Sequence, residues 1–208
     1  MVRAPVTGLA TLAPAPGLAA TVVVLLGSTA YDGFSGSTTW VGWAQSQDVP
    51  RPVLGTAGLL GTVLLVGALY AGCCRLAGTV AGVGGSGMPT LFAPSVVPVA
   101  LGYVVAHYYS LLVLEGQRAF VRLSDPLGIG ADWLGTGSAR PSPALVAPGV
   151  VVAVQVGAIL VGHVLGVVLA HDRAVALFPR RAAVVGQLPL LALMVALTCL
   201  GLFLLFYD

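Results

Sequence analysis

Lysine is absent from this chain and charge of either sign is scarce: nine arginines and seven acidic residues give a net charge of +2 and a charged share of 8%. Soluble domains carry about 25% charged residues. A soluble fold of this composition would need a dry interior larger than 208 residues can enclose. So small and scattered a positive charge also excludes a phosphate-backbone binder, and no nucleic-acid partner is expected. The three cysteines, Cys73, Cys74 and Cys199, are odd in number and lack metal-ligand spacing. That excludes a disulfide framework and a zinc knuckle. Also missing are a phosphate loop ending in Lys-Ser/Thr, HExxH, CxxC and the GxSxG elbow. The motifs therefore assign no metal and no cofactor. Gly82–Gly87, GVGGSG, has the glycines of an anion-binding turn but no following lysine, and reads as a flexible connection.

What the chain does have is five long uncharged runs rich in Leu, Val, Ala and Gly. About 20 apolar residues in a helix cross the roughly 30 Å hydrocarbon core of a bilayer. The expected fold is an all-α, polytopic transmembrane bundle in one domain, with spans near 17–31, 53–74, 91–114, 145–170 and 184–206. The first is the shortest and extends backwards if the uncharged segment after Arg3 joins it. Short basic loops prefer the cytoplasm. The compact Arg173–Arg181 segment therefore predicts a plasma-membrane protein with its N-terminus cytoplasmic and its C-terminus, at Asp208, outside. Trp40, Trp43 and Trp133 then fall in the two longer outer loops, where indoles suit the headgroup zone. Gly162 with Gly166, and Ala57 with Gly61, have the small-xxx-small spacing of close helix packing.

Polar groups inside these runs carry the functional expectations. His107, in YVVAHYYS, sits deep in the third span and requires a hydrogen-bond partner, a ligand or a wet cavity. Structural hydrogen bonding, a substrate or proton pathway, and cofactor ligation are all open to it. Tyr103 lies one turn before it, on the same face. At about 1.5 Å per residue, Gln155 of the fourth span falls at the level of His107, whereas His163 lies roughly 15 Å deeper. The depth arithmetic therefore pairs Gln155 with His107, in a polar core of Tyr103, His107, Gln155 and His163. At the expected outer surface, Asp32 and Glu115 are candidates to line a cavity floored by His107. These three are the weak catalytic candidates, with the imidazole taking a proton from water and a carboxylate orienting it. Gln117, Asp125 and the His171-Asp172-Arg173 run are expected at the interface, the last as a cap at a helix C-terminus.

Four segments together, GSTAYDGFS from Gly27, PVALGYVVAHYYSLLVLEGQ from Pro98, SDPLGIGADWLG from Ser124 and VQVGAILVGHVLGVVLAHDRAVALF from Val154, are specific beyond hydrophobicity. They resemble the C-terminal half of actinobacterial multi-pass membrane proteins often labelled fenitrothion hydrolase. The resemblance spans most of the chain. It implies hydrolysis of an organophosphate triester and draws attention to Asp32, His107, Gln117, Asp125, His163, His171 and Asp172. Because such proteins are about twice as long, it also implies a half-length form, a fragment or a component completed by another membrane subunit. The expected functions are small-molecule transport or sensing, a membrane-embedded hydrolase, or a structural subunit. The expected partners are lipids and either further copies of the chain or a complementary subunit.

Overall fold

In the computed structural model, which describes residues 14–206 with side chains through 203, all regular structure is helical. Arg3 and Asp208 lie outside the described residues, and the first span does not extend backwards through residues 14–17, which precede the helix that starts at Leu18 after its N-cap Gly17. The elements are α1 (Leu18–Ser35), α2 (Thr38–Gln45), α3 (Arg51–Val80), α4 (Met88–Ser124), a 3₁₀ turn (Pro143–Leu145), α5 (Pro148–Leu177) and α6 (Ala183–Phe206). Five of these, all but α2 and the turn, are long and apolar enough to cross a membrane. Large side chains such as Leu64 (72%), Leu112 (68%) and Val164 (62%) are exposed along them. An outer surface of this kind is matched to lipid, and the chain has the build of a multi-pass integral membrane protein.

Prolines occupy the first turns of α3, α4 and α5, where a missing N–H costs no helical hydrogen bond. Pro94 and Pro98 lie further inside α4, and the helix continues through both. The helices outlast the expected spans. α1 carries Asp32 within its last turn, α3 runs past Arg75, and α4 runs past Glu115, Arg118 and Arg122. α5 passes through His171-Asp172-Arg173 to Leu177, so that run is helix interior and not a C-terminal cap. The reason is physical: hydropathy marks where hydrocarbon ends, whereas a helix already formed keeps its backbone hydrogen bonds through polar residues. Glu and Arg are good helix formers, and Asp and His cost only tenths of a kcal/mol, about 0.7 at most.

Successive spans reverse direction. One end of the bundle, here the Trp40 end, holds α2 and the segment 125–147. The other, the Gly82 end, holds the turns between α3 and α4 and between α5 and α6. The α3–α4 connection is a compact turn: Gly82, Gly84 and Gly87 have positive φ, and Gly78 and Gly85 sit against the Gly84 and Arg75 backbone. The densest core lies toward the Gly82 end, around Cys74, Ala77, Phe92, Val99, Leu190 and Met194. Phe92 and Phe178 stack there at a tilt, with centroids 5.8 Å apart.

α4 packs most extensively on α5, and glycine explains how closely. A Cβ on Gly162 would lie 2.6 Å from the Pro98 carbonyl oxygen, and one on Gly102 would lie 2.5 Å from that of Ala158. Gly166 continues the seam against Ser95 and Val99. The expected role of Gly162 and Gly166 is thus realised. That of Ala57 and Gly61 is not, because Gly61 faces open space and the close approach of α1 to α3 is made by Gly27 on Val63.

Candidate functional site

The Trp40 half of the bundle is less densely filled, and a cavity of about 290 Å³ opens there among four helices. Each helix contributes one face. α1 supplies Leu26, Thr29, Ala30 and Gly33 at helical spacing, α4 supplies Tyr103, Ala106 and His107, and α6 supplies Leu197, Leu200 and Gly201. Ile159 of α5 closes the remaining wall. The cavity is mostly apolar, with polar groups gathered where α1 meets α4.

There Asp32 is the centre. Its Oδ2 accepts a hydrogen bond from the Tyr108 hydroxyl at 2.8 Å and faces His107 Nε2 at 3.8 Å. The His107 and Tyr108 rings meet edge to face, with centroids 4.8 Å apart. The side chains of His107 and Asp32 are 33% and 47% exposed, so the polar edge is reachable from outside. At the deeper end, the Tyr103 hydroxyl donates to the Leu197 carbonyl and ties α4 to α6. Its ring occupies the space that any side chain at position 201 would need. Behind Tyr103, 5.4 Å away and edge to face, lies the buried ring of His163. His163 Nδ1 is 2.8 Å from the Ile159 carbonyl oxygen, and its Nε2 is buried without a hydrogen-bond partner.

Asp32, Tyr103 and His107 line one cavity, His163 packs behind Tyr103, and the remaining candidates lie elsewhere. Gln155 lies at the predicted level, but its Nε2 donates to the Ala106 carbonyl at 3.0 Å and to Ser110 Oγ at 3.1 Å, not to His107. Depth fixes a level along a helix and not the rotation about its axis. Glu115 does not line the cavity, because α4 carries it beyond the rim into an ion pair with Arg118. Gln117 clamps Ser142, accepting from its N–H at 2.9 Å and donating to its carbonyl at 3.1 Å. Asp125 caps the N–H groups of Ile129 and Gly130. Both are loop-building residues here. His171 pairs with Gln187 of α6 at 3.0 Å beside a smaller cavity of about 120 Å³, Asp172 is exposed, and Arg173 donates to the Leu91 carbonyl at 2.9 Å.

Thr29, Tyr108 and Leu197 escaped the sequence reading as contributors to the site. Tyr108 was visible within AHYYS, but nothing local marks a backbone carbonyl on α6 as its neighbour's acceptor. Asp132 was also missed. It accepts from the buried Ser124 hydroxyl and from the Gly137 N–H, and these bonds hold its carboxyl below the usual carboxylate range. Among the described residues, no group of three or more His, Cys, Asp or Glu is placed to hold a metal ion. Compared with protein-family models, curated proteins and solved structures, the chain has no match.

Proposed function

We propose that this chain is a small-molecule-binding membrane protein, a transporter or sensor, whose ligand occupies the cavity at the Trp40 end. The observation that carries this reading is the cavity itself, with mostly apolar walls and a polar edge at Asp32 and His107, Asp32 being held by the Tyr108 hydroxyl. Its size lies at the lower end of the roughly 300–1,000 Å³ usual for ligand pockets. The plasma membrane is the proposed location, with the N-terminus cytoplasmic. What supports that orientation is the basic Arg173–Arg181 segment at the Gly82 end. Lipids are the proposed surroundings, with a second copy or a complementary subunit as protein partner.

The test is ligand-induced stabilisation of the protein in lipid nanodiscs, using small apolar molecules that each carry one polar group. Binders raise the unfolding temperature of the native chain, and Ala30→Phe, which fills the cavity, removes the effect. Equal shifts in both proteins would place binding elsewhere and end the proposal.

A second reading has its own observation, the imidazole beside a carboxylate. In that reading His107, with the Asp32 carboxylate 3.8 Å away, takes a proton from water. The water attacks phosphorus and displaces the alkoxide or phenoxide of an organophosphate-type ester, which leaves with a proton returned to it. The family resemblance points the same way. Purified protein in lipid would then turn over a phosphotriester, and His107→Ala would abolish turnover. Undiminished turnover in that variant rejects the assignment.

A further inference from the structure

We infer that the ligand of this cavity is an organic ammonium ion with an apolar body, and that Asp32 is its counter-ion; this rests on the cavity taking a ligand at all. The argument is an account of hydrogens. A hydroxyl has one hydrogen to donate, and each hydroxyl at the site has already committed it. Thr29 donates to the Leu25 carbonyl at 2.8 Å, Tyr103 to the Leu197 carbonyl and Tyr108 to Asp32. Their oxygens can offer only lone pairs to a guest. Asp32, ionised, accepts and never donates. Its two contacts both fall on Oδ2, which leaves Oδ1 available.

His107 adds one ring N–H and one ring acceptor to this balance, and the tautomer decides which of them faces the guest. Its Nε2 stands 3.8 Å from Asp32, beyond hydrogen-bond reach, so the pair is not closed upon itself. In the neutral ring one nitrogen accepts, and Nε2 becomes that acceptor when Nδ1 carries the hydrogen. Among the described residues no arginine lines the cavity, and the nearest arginine along α4, Arg118, is occupied with Glu115. An anionic guest would therefore meet a carboxylate and a row of lone pairs. A neutral alcohol would bring one hydrogen. A primary ammonium brings three hydrogens and a matching charge, while Leu26, Ile159 and Leu200 cover its apolar body.

Three probes that share one aromatic body separate the possibilities: phenethylamine, phenethyl alcohol and phenylpropionate, each titrated at neutral pH into the protein in nanodiscs. The amine is expected to bind more tightly than the alcohol by about tenfold or more, the scale of one hydrogen bond to a charged group. Phenylpropionate is expected not to bind measurably. Asp32→Asn, which keeps an oxygen for Tyr108, brings the amine down to the level of the alcohol. Equal binding of amine and alcohol, or an amine preference that survives Asp32→Asn, overturns the inference. If at the same time Ala30→Phe abolishes binding of the alcohol, the cavity reading stands without it. If none of the three binds, both fall together.

Discussion

A buried imidazole nitrogen with nothing to bond is a local cost that this protein carries. The Ile159 carbonyl can only accept, so Nδ1 of His163 carries the hydrogen and Nε2 is an acceptor left unsatisfied. Such a group costs about 1–3 kcal/mol. His163→Leu is therefore expected to leave thermal stability in detergent unchanged or to raise it, by up to about that amount. A large loss would mean that the imidazole holds a molecule in the folded protein. Asp132 gives a second prediction, with a definite sign. Its folded pKa is depressed, first by the Ser124 hydroxyl and then by the Gly137 N–H. Its stabilisation of the 125–147 segment is thus complete above the unfolded value of about 4 and is lost as pH falls through the lower folded value. With Trp40 and Trp43 changed to Phe, emission from Trp133 should hold steady from neutral pH and change only in strong acid. The Asp132→Asn protein should lack that step. At this scale the sequence is partly legible. His107 stands out because an imidazole in an uncharged run has few alternatives. Its neighbour Asp32 is recognisable only as a nearby charge, and the partner of Gln155 depends on a helix rotation that no spacing encodes.

At the scale of elements, glycine spacing is ambiguous until the partner helix is in place. GHVLG and the Ala57–Gly61 pair look alike in sequence, yet only the first meets a neighbouring backbone. The consequence is opposite signs for one substitution. Gly162→Ala drives a methyl group toward the Pro98 carbonyl oxygen 2.6 Å away and should destabilise the bundle by about 1–3 kcal/mol. Gly61→Ala enters open space and should stabilise it slightly, by up to about 1 kcal/mol of helix propensity. Paired unfolding measurements check this, and equal effects would contradict the packing described. The existence and order of the five long helices were legible because uncharged runs of this length have few other uses. Their ends were not. Glu115, Arg118 and Arg122 lie in the final turns of α4, where polarity had suggested a loop. α2 lies in what the sequence reads as an outer loop, and its start rests on the Ser37 hydroxyl accepting from the Trp40 N–H.

Over the whole molecule, apolar side chains lie outward along every long helix, while the dense core gathers at the Gly82 end and the cavity at the other. The fold therefore depends on an apolar solvent around it. Removal of detergent without lipid should give aggregation, whereas transfer into nanodiscs should preserve a single species by size-exclusion chromatography. A compact, monodisperse monomer in plain buffer would contradict the membrane assignment. The division between a filled end and a hollow end also explains where the proposed site lies: a guest needs space, and among the described residues the larger of the two cavities lies in the Trp40 half.

The contact between Gly102 and Gly162 has a mechanical corollary. Two helices that touch backbone to backbone leave no room for side chains between them, and α4 and α5 share the most extensive interface of the bundle. On the proposed reading, α1 and α6, which supply the opposing walls of the cavity, are the helices expected to shift when a guest enters. The Tyr103 hydroxyl on the Leu197 carbonyl is the fastening that α6 would have to release first.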